Sequence, residues 1–205
     1  MVRDITGYDG LMDASVDRER IAAAADAIRR GEIVLFPTET FYGLAVDALD
    51  GAALARLFAL KGRRDEKASA LLVRDMRMFE SLCVEVPERA RELAAAHWPG
   101  PLTIALLARA GLPTAIVNEG CVAARVSPHP VAAALVAAVG RPITATSANP
   151  AGTAPHRTAA EALAQFMGGG LHVLDGGPTP GGAPSTLVRL RGSELEVLRR
   201  GAIAL

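Results

Sequence analysis

The stretch from Gly31 to Asp47, GEIVLFPTETFYGLAVD, constrains this chain most. Ile33 to Phe36 is an unbroken apolar run of strand-forming residues stopped by Pro37. A short run of that kind, ended by a breaker, reads as a buried strand. Such a strand belongs in the middle of a sheet, with its side chains nearly fully buried. Thr38, Glu39, Thr40 and Tyr42 are then crowded between Pro37 and Gly43, before Leu44, Ala45 and Val46 resume the apolar pattern. Polar groups fixed between two strands can aim hydroxyls and a carboxylate at a ligand. The same residues also suit an ordinary β-turn facing water, and the local sequence leaves both readings open.

At 205 residues, 50% of them apolar, the chain can bury a real core as one domain. Its formal net charge is zero, so no global field draws it to nucleic acid or to an anionic membrane; any such binding must come from a local patch. The two cysteines, Cys83 and Cys121, are far apart and lack metal-ligand spacing, which fits a reducing compartment. Residues 1–16 mix Arg3, Asp4, Asp9 and Asp13 with single apolar residues, unlike a signal-peptide core. No stretch approaches the ~18 apolar residues of a membrane span. The expectation is a soluble, cytoplasmic protein.

Residues 17–30 read as a helix capped by Asp17, with Arg29 and Arg30 at its negative end before Gly31. Asp50 caps a second helix over 52–61 that buries Leu54, Leu57, Phe58 and Leu60. Further helices are predicted over 76–84, from Pro87 to about His97, over 130–139 and over 158–167. Strands are predicted over 70–73, 103–108, 122–126, 143–146, 172–174, 186–190 and 195–198. Trp98-Pro99-Gly100-Pro101 cannot be regular structure. Residues 176–184, GGPTPGGAP, form a mobile loop or a lid. The whole reads as a single α/β domain on one twisted open mixed sheet with flanking helices.

Four places could carry chemistry. The first is the Pro37–Tyr42 turn. The second is KGRRDEK: from Arg56 to Lys67 the bases Arg56, Lys61, Arg63, Arg64 and Lys67 outnumber the acids Asp65 and Glu66 by five to two. A cationic, glycine-containing loop suits polyphosphate, since Lys gives a mobile point charge and Arg a bidentate fork; a solvated surface is the alternative. The third is Ser147-Ala148-Asn149 at a strand end, where open α/β sheets place ligands, although a plain Ser/Asn turn has the same residues. The fourth is Ser185-Thr186 beside the Gly/Pro-rich loop. Neither common glycine-rich nucleotide motif is present, and no metalloprotease or serine-hydrolase motif appears. The four histidines are scattered, and no metal site is expected.

Taken in order, the motifs resemble the YrdC-type family from end to end, in the form of its short, single-domain threonylcarbamoyl-AMP synthases. The likeness runs through PTETFYGLAVD (37–47), KGR…K (61–67), WPGPLT (98–103), VAARVSPHP (122–130), TSAN (146–149), G-x-x-P-x-R-T (152–158), AQF (164–166), ST (185–186) and R-x-G (199–201). The resemblance implies an α/β domain with a large concave basic face, and no second domain. It implies an enzyme joining L-threonine, bicarbonate or carbon dioxide, and ATP into threonylcarbamoyl-adenylate with release of pyrophosphate. A tRNA-modifying transfer complex would be the downstream partner, tRNA or double-stranded RNA could contact the basic face, and magnesium would accompany ATP.

By the same resemblance, Lys61, Arg63, Ser147 and Asn149 form the core of the site. Lys61, Arg63 and Lys67 would meet the phosphates, and Ser147 and Asn149 the nucleotide. Thr38 and Arg125 would hold threonine, Arg125 as a clamp on its carboxylate. Thr103 and Arg199 fall on the nucleotide side, and Ser185 at the lid toward threonine. Lys61, Arg63, Ser147 and Asn149 should line one pocket onto which Thr38 and Arg125 also open, with Lys61 on a surface loop. The chain departs from the family's pattern at Arg64 and Ala68, where proline, or proline and glycine, are usual. The other reading is a YrdC-like RNA-binding module without adenylate synthesis; a carbamoyl-transfer role, as in larger hydrogenase-maturation proteins, is a third.

Overall fold

The apolar run after Gly31 becomes a strand of only three residues, buried on both sides. A computed structural model describes residues 14–62, 68–150, 152–166 and 170–205. In chain order the elements are α1 (Ala14–Arg29), β1 (Val34–Phe36), β2 (Gly43–Ala45), α2 (Gly51–Leu60), β3 (Leu71–Leu72), α3 (Met76–Glu80), α4 (Glu88–His97) and β4 (Leu102–Leu107). They continue with β5 (Val117–Asn118), β6 (Cys121–Arg125), α5 (Pro130–Val139), β7 (Ile143–Thr144), β8 (Thr146–Ser147), α6 (Ala159–Ala164), β9 (His172–Val173), β10 (Thr186–Arg191) and β11 (Glu194–Arg199).

The local signals mostly act as read; the exception is Asp17, which does not cap the first helix, because α1 already begins at Ala14 and Asp17 lies within it. The Asp50 carboxylate accepts the amides of Ala52 and Ala53 at the start of α2, and Thr158 with Glu161 forms a capping box on α6. Pro130 opens α5 and Gly140, at φ 74°, ends it. α3 is shorter than expected, because the chain after Ser81 turns to extended pairing: Val84 N donates to Leu107 O at 2.9 Å. α6 ends at Ala164 with Gln165 as its C-cap, short of the expected 158–167; Met167 itself lies outside the described residues.

The single expected sheet is in fact two. A four-stranded sheet has the order β8-β2-β1-β9, with β1 interior between antiparallel β2 and parallel β9. A larger mixed sheet runs β11-β10-β4-β6-β3-β7, with β5 also paired to β6. β1 is therefore central in the smaller sheet and absent from the larger. Val34 and Phe36 enter a core with Ile28 of α1 and Leu135 and Val136 of α5, while Leu35 enters the main core with Leu44, Leu57 and Ile104. Burial on both faces explains why the strand is apolar without alternation.

The sheets are joined by the segment 143–147, which pairs with β3 as β7 and with β2 as β8. Thr144, fully buried, is the stitch. Its amide donates to Val46 O at 3.0 Å, and its hydroxyl donates to Leu44 O at 3.0 Å while accepting from Val46 N at 3.1 Å. Ser147 is thereby delivered to the crevice between the sheets.

Candidate active site

Around that crevice the chain leaves a cavity of about 960 Å³. Thr38, Lys61, Thr103, Arg125, Ser147, Asn149, Ser185 and Arg199 all line it, so eight of the ten expected site residues converge. The other two, Arg63 and Lys67, lie outside the described residues, as does Arg64; Ala68 is on the cavity wall.

The lining groups are placed by element ends and the turns beside them. Lys61 caps the C-terminal end of α2 and is only 5% exposed, which corrects the expectation of a surface loop residue. Its ammonium donates to Ser147 O, so the end of the helix is drawn against the sheet-switching segment. A cation is favourable at a helix C-terminus. Asn149 Nδ2 donates to Pro150 O at 3.1 Å and to Thr153 O. Its Oδ1 is buried and has no partner among the described residues, an unmet acceptor on the cavity wall. Thr38 Oγ1 accepts the amides of Thr40 and Phe41 and donates to Phe41 O at 2.7 Å, so it shapes the turn as well as facing the cavity.

On the opposite wall Thr103 Oγ1 and Ser185 Oγ are 2.9 Å apart. Arg199 reaches across to donate to Ser185 O from Nε and Nη2 at 3.1 and 2.9 Å, and to Ser185 Oγ at 3.0 Å. Gly201 permits this closure, since a Cβ there would collide with Pro184 O and the Ser185 backbone. Burial, then the charge of Arg125, lowers the pKa of the Arg199 guanidinium.

Two features went unassigned at the sequence level. The first is a buried cluster behind Arg125. Arg125 Nε donates to Glu39 Oε1 at 2.7 Å, and Ser127 Oγ donates to Glu39 Oε2. The Arg125 and Glu39 side chains are 7% and 9% exposed. Burial pushes the Glu39 carboxyl up, but the Arg125 charge and the Ser127 hydroxyl more than offset this and hold it below the ordinary glutamate value. Burial also lowers the neighbouring His129 imidazole, against the pull of Glu39. The signal available was Glu39 itself, the one acid in the turn. The second is Glu119, at φ 49° in the β5–β6 turn, ion-paired to Arg189, which also holds Glu196 at 2.6 Å. Its φ is unusual for a residue with a side chain.

The Gly/Pro-rich segment 176–184 lacks apolar anchors yet is tied down by polar ones. Tyr42 Oη lies 2.7 Å from Asp175 Oδ1 and 2.8 Å from Gly177 O, and accepts from Gly176 N. Thr179 is buried and receives Arg157 Nε at its carbonyl, and Gly181 N donates to Thr40 O at 2.8 Å. Gly182 and Pro184 then form part of the cavity rim.

Two sheets with a cavity lined by hydroxyls, an amide and the cations Lys61, Arg125, Arg189 and Arg199 define an α/β protein whose cleft offers charge-assisted donors to a ligand. The chain belongs to the Sua5/YciO/YrdC family, whose model, described as "Telomere recombination", matches residues 26–201. It is 38% identical to the threonylcarbamoyl-AMP synthase of Pyrococcus abyssi, over 93% of this chain and 56% of that protein. It is 39% identical to that of Chromohalobacter salexigens, over 89% and 97%. The crystal structure of P. abyssi Sua5 complexed with L-threonine superposes with a TM-score of 0.85 at 37% identity, covering 90% of this chain and 54% of that one. The chain thus spans little more than half of its P. abyssi relative and nearly all of the C. salexigens one.

Proposed function

We propose that this protein synthesises threonylcarbamoyl-AMP. The observation that carries the reading is convergence: Lys61, the Ser147–Asn149 segment, Thr38, Arg125, Thr103, Ser185 and Arg199 are spread along the chain, yet line one cavity. Its volume, about 960 Å³, lies at the upper end of the ~300–1,000 Å³ usual for ligand sites, enough for a nucleotide and an amino acid together.

The chemistry asks for positioning and cations, not for a protein nucleophile. Threonine's amine adds to carbon dioxide, losing a proton, or to bicarbonate, losing water, and becomes a carbamate. A carbamate oxygen attacks the α-phosphorus of ATP; the new P–O bond forms as the bond to the β-phosphate bridge breaks, and pyrophosphate leaves. Lys61, with Arg63 and Lys67 of the basic stretch that follows it in sequence, meets the phosphates. Ser147, Asn149, Thr103 and Arg199 take the nucleotide. Arg125, Thr38 and Ser185 take threonine, with Arg125 gripping the carboxylate. Because Nε of Arg125 is engaged by Glu39, the grip comes from its two terminal nitrogens. Glu119, the one carboxylate on the lining among the described residues, is committed to Arg189. Magnesium is therefore read as arriving on the ATP phosphates, completed by water. The product goes to a tRNA-modifying transfer complex in the cytoplasm.

The deciding assay is pyrophosphate release from ATP that requires both threonine and bicarbonate. Turnover independent of either, or none at all, overturns the reading; RNA binding retained in that case would favour the RNA-binding module instead.

A further inference from the structure

We infer that Glu39 is a positioning residue for amino-acid recognition: it acts through Arg125, fixing the edge of the guanidinium so that its terminal nitrogens face the cavity. The inference rests on the proposed reaction and adds to it the group that sets the substrate-carboxylate clamp.

Arg125 stands at the end of β6 and its side chain is only 7% exposed. A buried guanidinium with several open rotamers has no reason to hold one orientation, and a buried charge without a partner is costly. Glu39 supplies both requirements. One of its oxygens accepts Nε of Arg125 and the other accepts the Ser127 hydroxyl, so the carboxylate cannot rotate without losing a bond. Among the described residues, Nε is the one nitrogen of Arg125 that has a hydrogen-bond partner, which leaves Nη1 and Nη2 to a ligand. Arg125 lines the cavity whereas Glu39 and Ser127 do not. Glu39 thus lies behind the group that would touch substrate, within a turn that also carries Thr38.

The charge of Glu39 must repel a substrate carboxylate, so its contribution is geometric and opposes its own electrostatics. This separates two substitutions. Glu39→Asp keeps the charge but withdraws the carboxylate by about one carbon–carbon bond, and misplacement of about 1 Å costs up to ~100-fold in a positioned reaction. Glu39→Gln keeps the reach and removes the charge.

The test is steady-state pyrophosphate release by the full chain with threonine and ATP varied separately. Glu39→Asp is expected to raise the threonine KM on the order of tenfold, with the ATP KM and kcat at saturating threonine little changed, and Glu39→Gln to raise it less. On an Arg125→Lys background, which lacks the Nε donor, Glu39→Asp should add nothing further. An unchanged threonine KM, an equal rise for ATP, or additive effects in the double variant would overturn the inference. If Glu39→Asp does not fold, Ser127→Ala loosens the same carboxylate and should raise the threonine KM about threefold, an unchanged KM again counting against the proposal. Wild-type protein without threonine-dependent release would instead sink the reaction itself.

Discussion

The ammonium of Lys61 donates to the carbonyl of Ser147, joining the end of α2 to the segment shared by the two sheets. Two site residues 86 positions apart in sequence are thus held by each other before any ligand arrives. Lys61 both ties the fold together and lines the cavity.

Lys61→Met should therefore have two effects. Loss of a cation from the developing phosphate charge should lower threonine-dependent pyrophosphate release by ~3 kcal/mol, roughly 10²-fold. Loss of a charge-assisted hydrogen bond should cost about 2 kcal/mol of stability. A melting curve alongside single-turnover rates checks both; near wild-type turnover would remove Lys61 from the mechanism.

Thr144→Val conserves shape but deletes the hydroxyl that serves Leu44 O and Val46 N in a fully buried place. Two backbone groups would lose a partner where water cannot replace it. The expected loss is about 2 kcal/mol by urea denaturation, and a change under 0.5 kcal/mol would mean that the sheets do not depend on this stitch.

Glu39 makes stability pH-dependent with a definite sign. Its folded pKa lies below the ordinary 4.5, so the folded state binds its proton less readily than the unfolded state does. The stabilisation is complete above that ordinary value and is lost as pH falls through the lower, folded one. As pH falls below the ordinary glutamate value, the wild-type melting temperature should fall more steeply than that of Glu39→Gln. Parallel curves would show that the Arg125 pair carries no linkage.

Tyr42→Phe removes the hydroxyl that gathers Asp175, Gly176 and Gly177. Amide exchange at Gly177 and Gly181 should quicken by about tenfold or more while the protection of β4 and β6 holds, since loss of one local tie opens a loop before a core. Equal acceleration everywhere would point to global destabilisation.

Sequence alone determined what short-range forces decide. Asp50 and Thr158 cap their helices because the capping carboxylate and hydroxyl reach amides two or three residues away. Pro130 and Gly140 bracket α5 because φ is a property of one residue, and motif order picked out eight residues that line one cavity because they stand in recognisable local strings. Tertiary structure decided what depends on partners distant in the chain. An apolar run such as Val34–Phe36 announces a buried strand but not its neighbours, so two sheets were read as one. Lys61 looked like a surface charge because burial is set by Ser147, across the fold. Glu39 and Arg125, 86 residues apart, had no local mark of their pairing; only the packing of the 38–42 turn against the end of β6 desolvates both charges and makes each the other's partner.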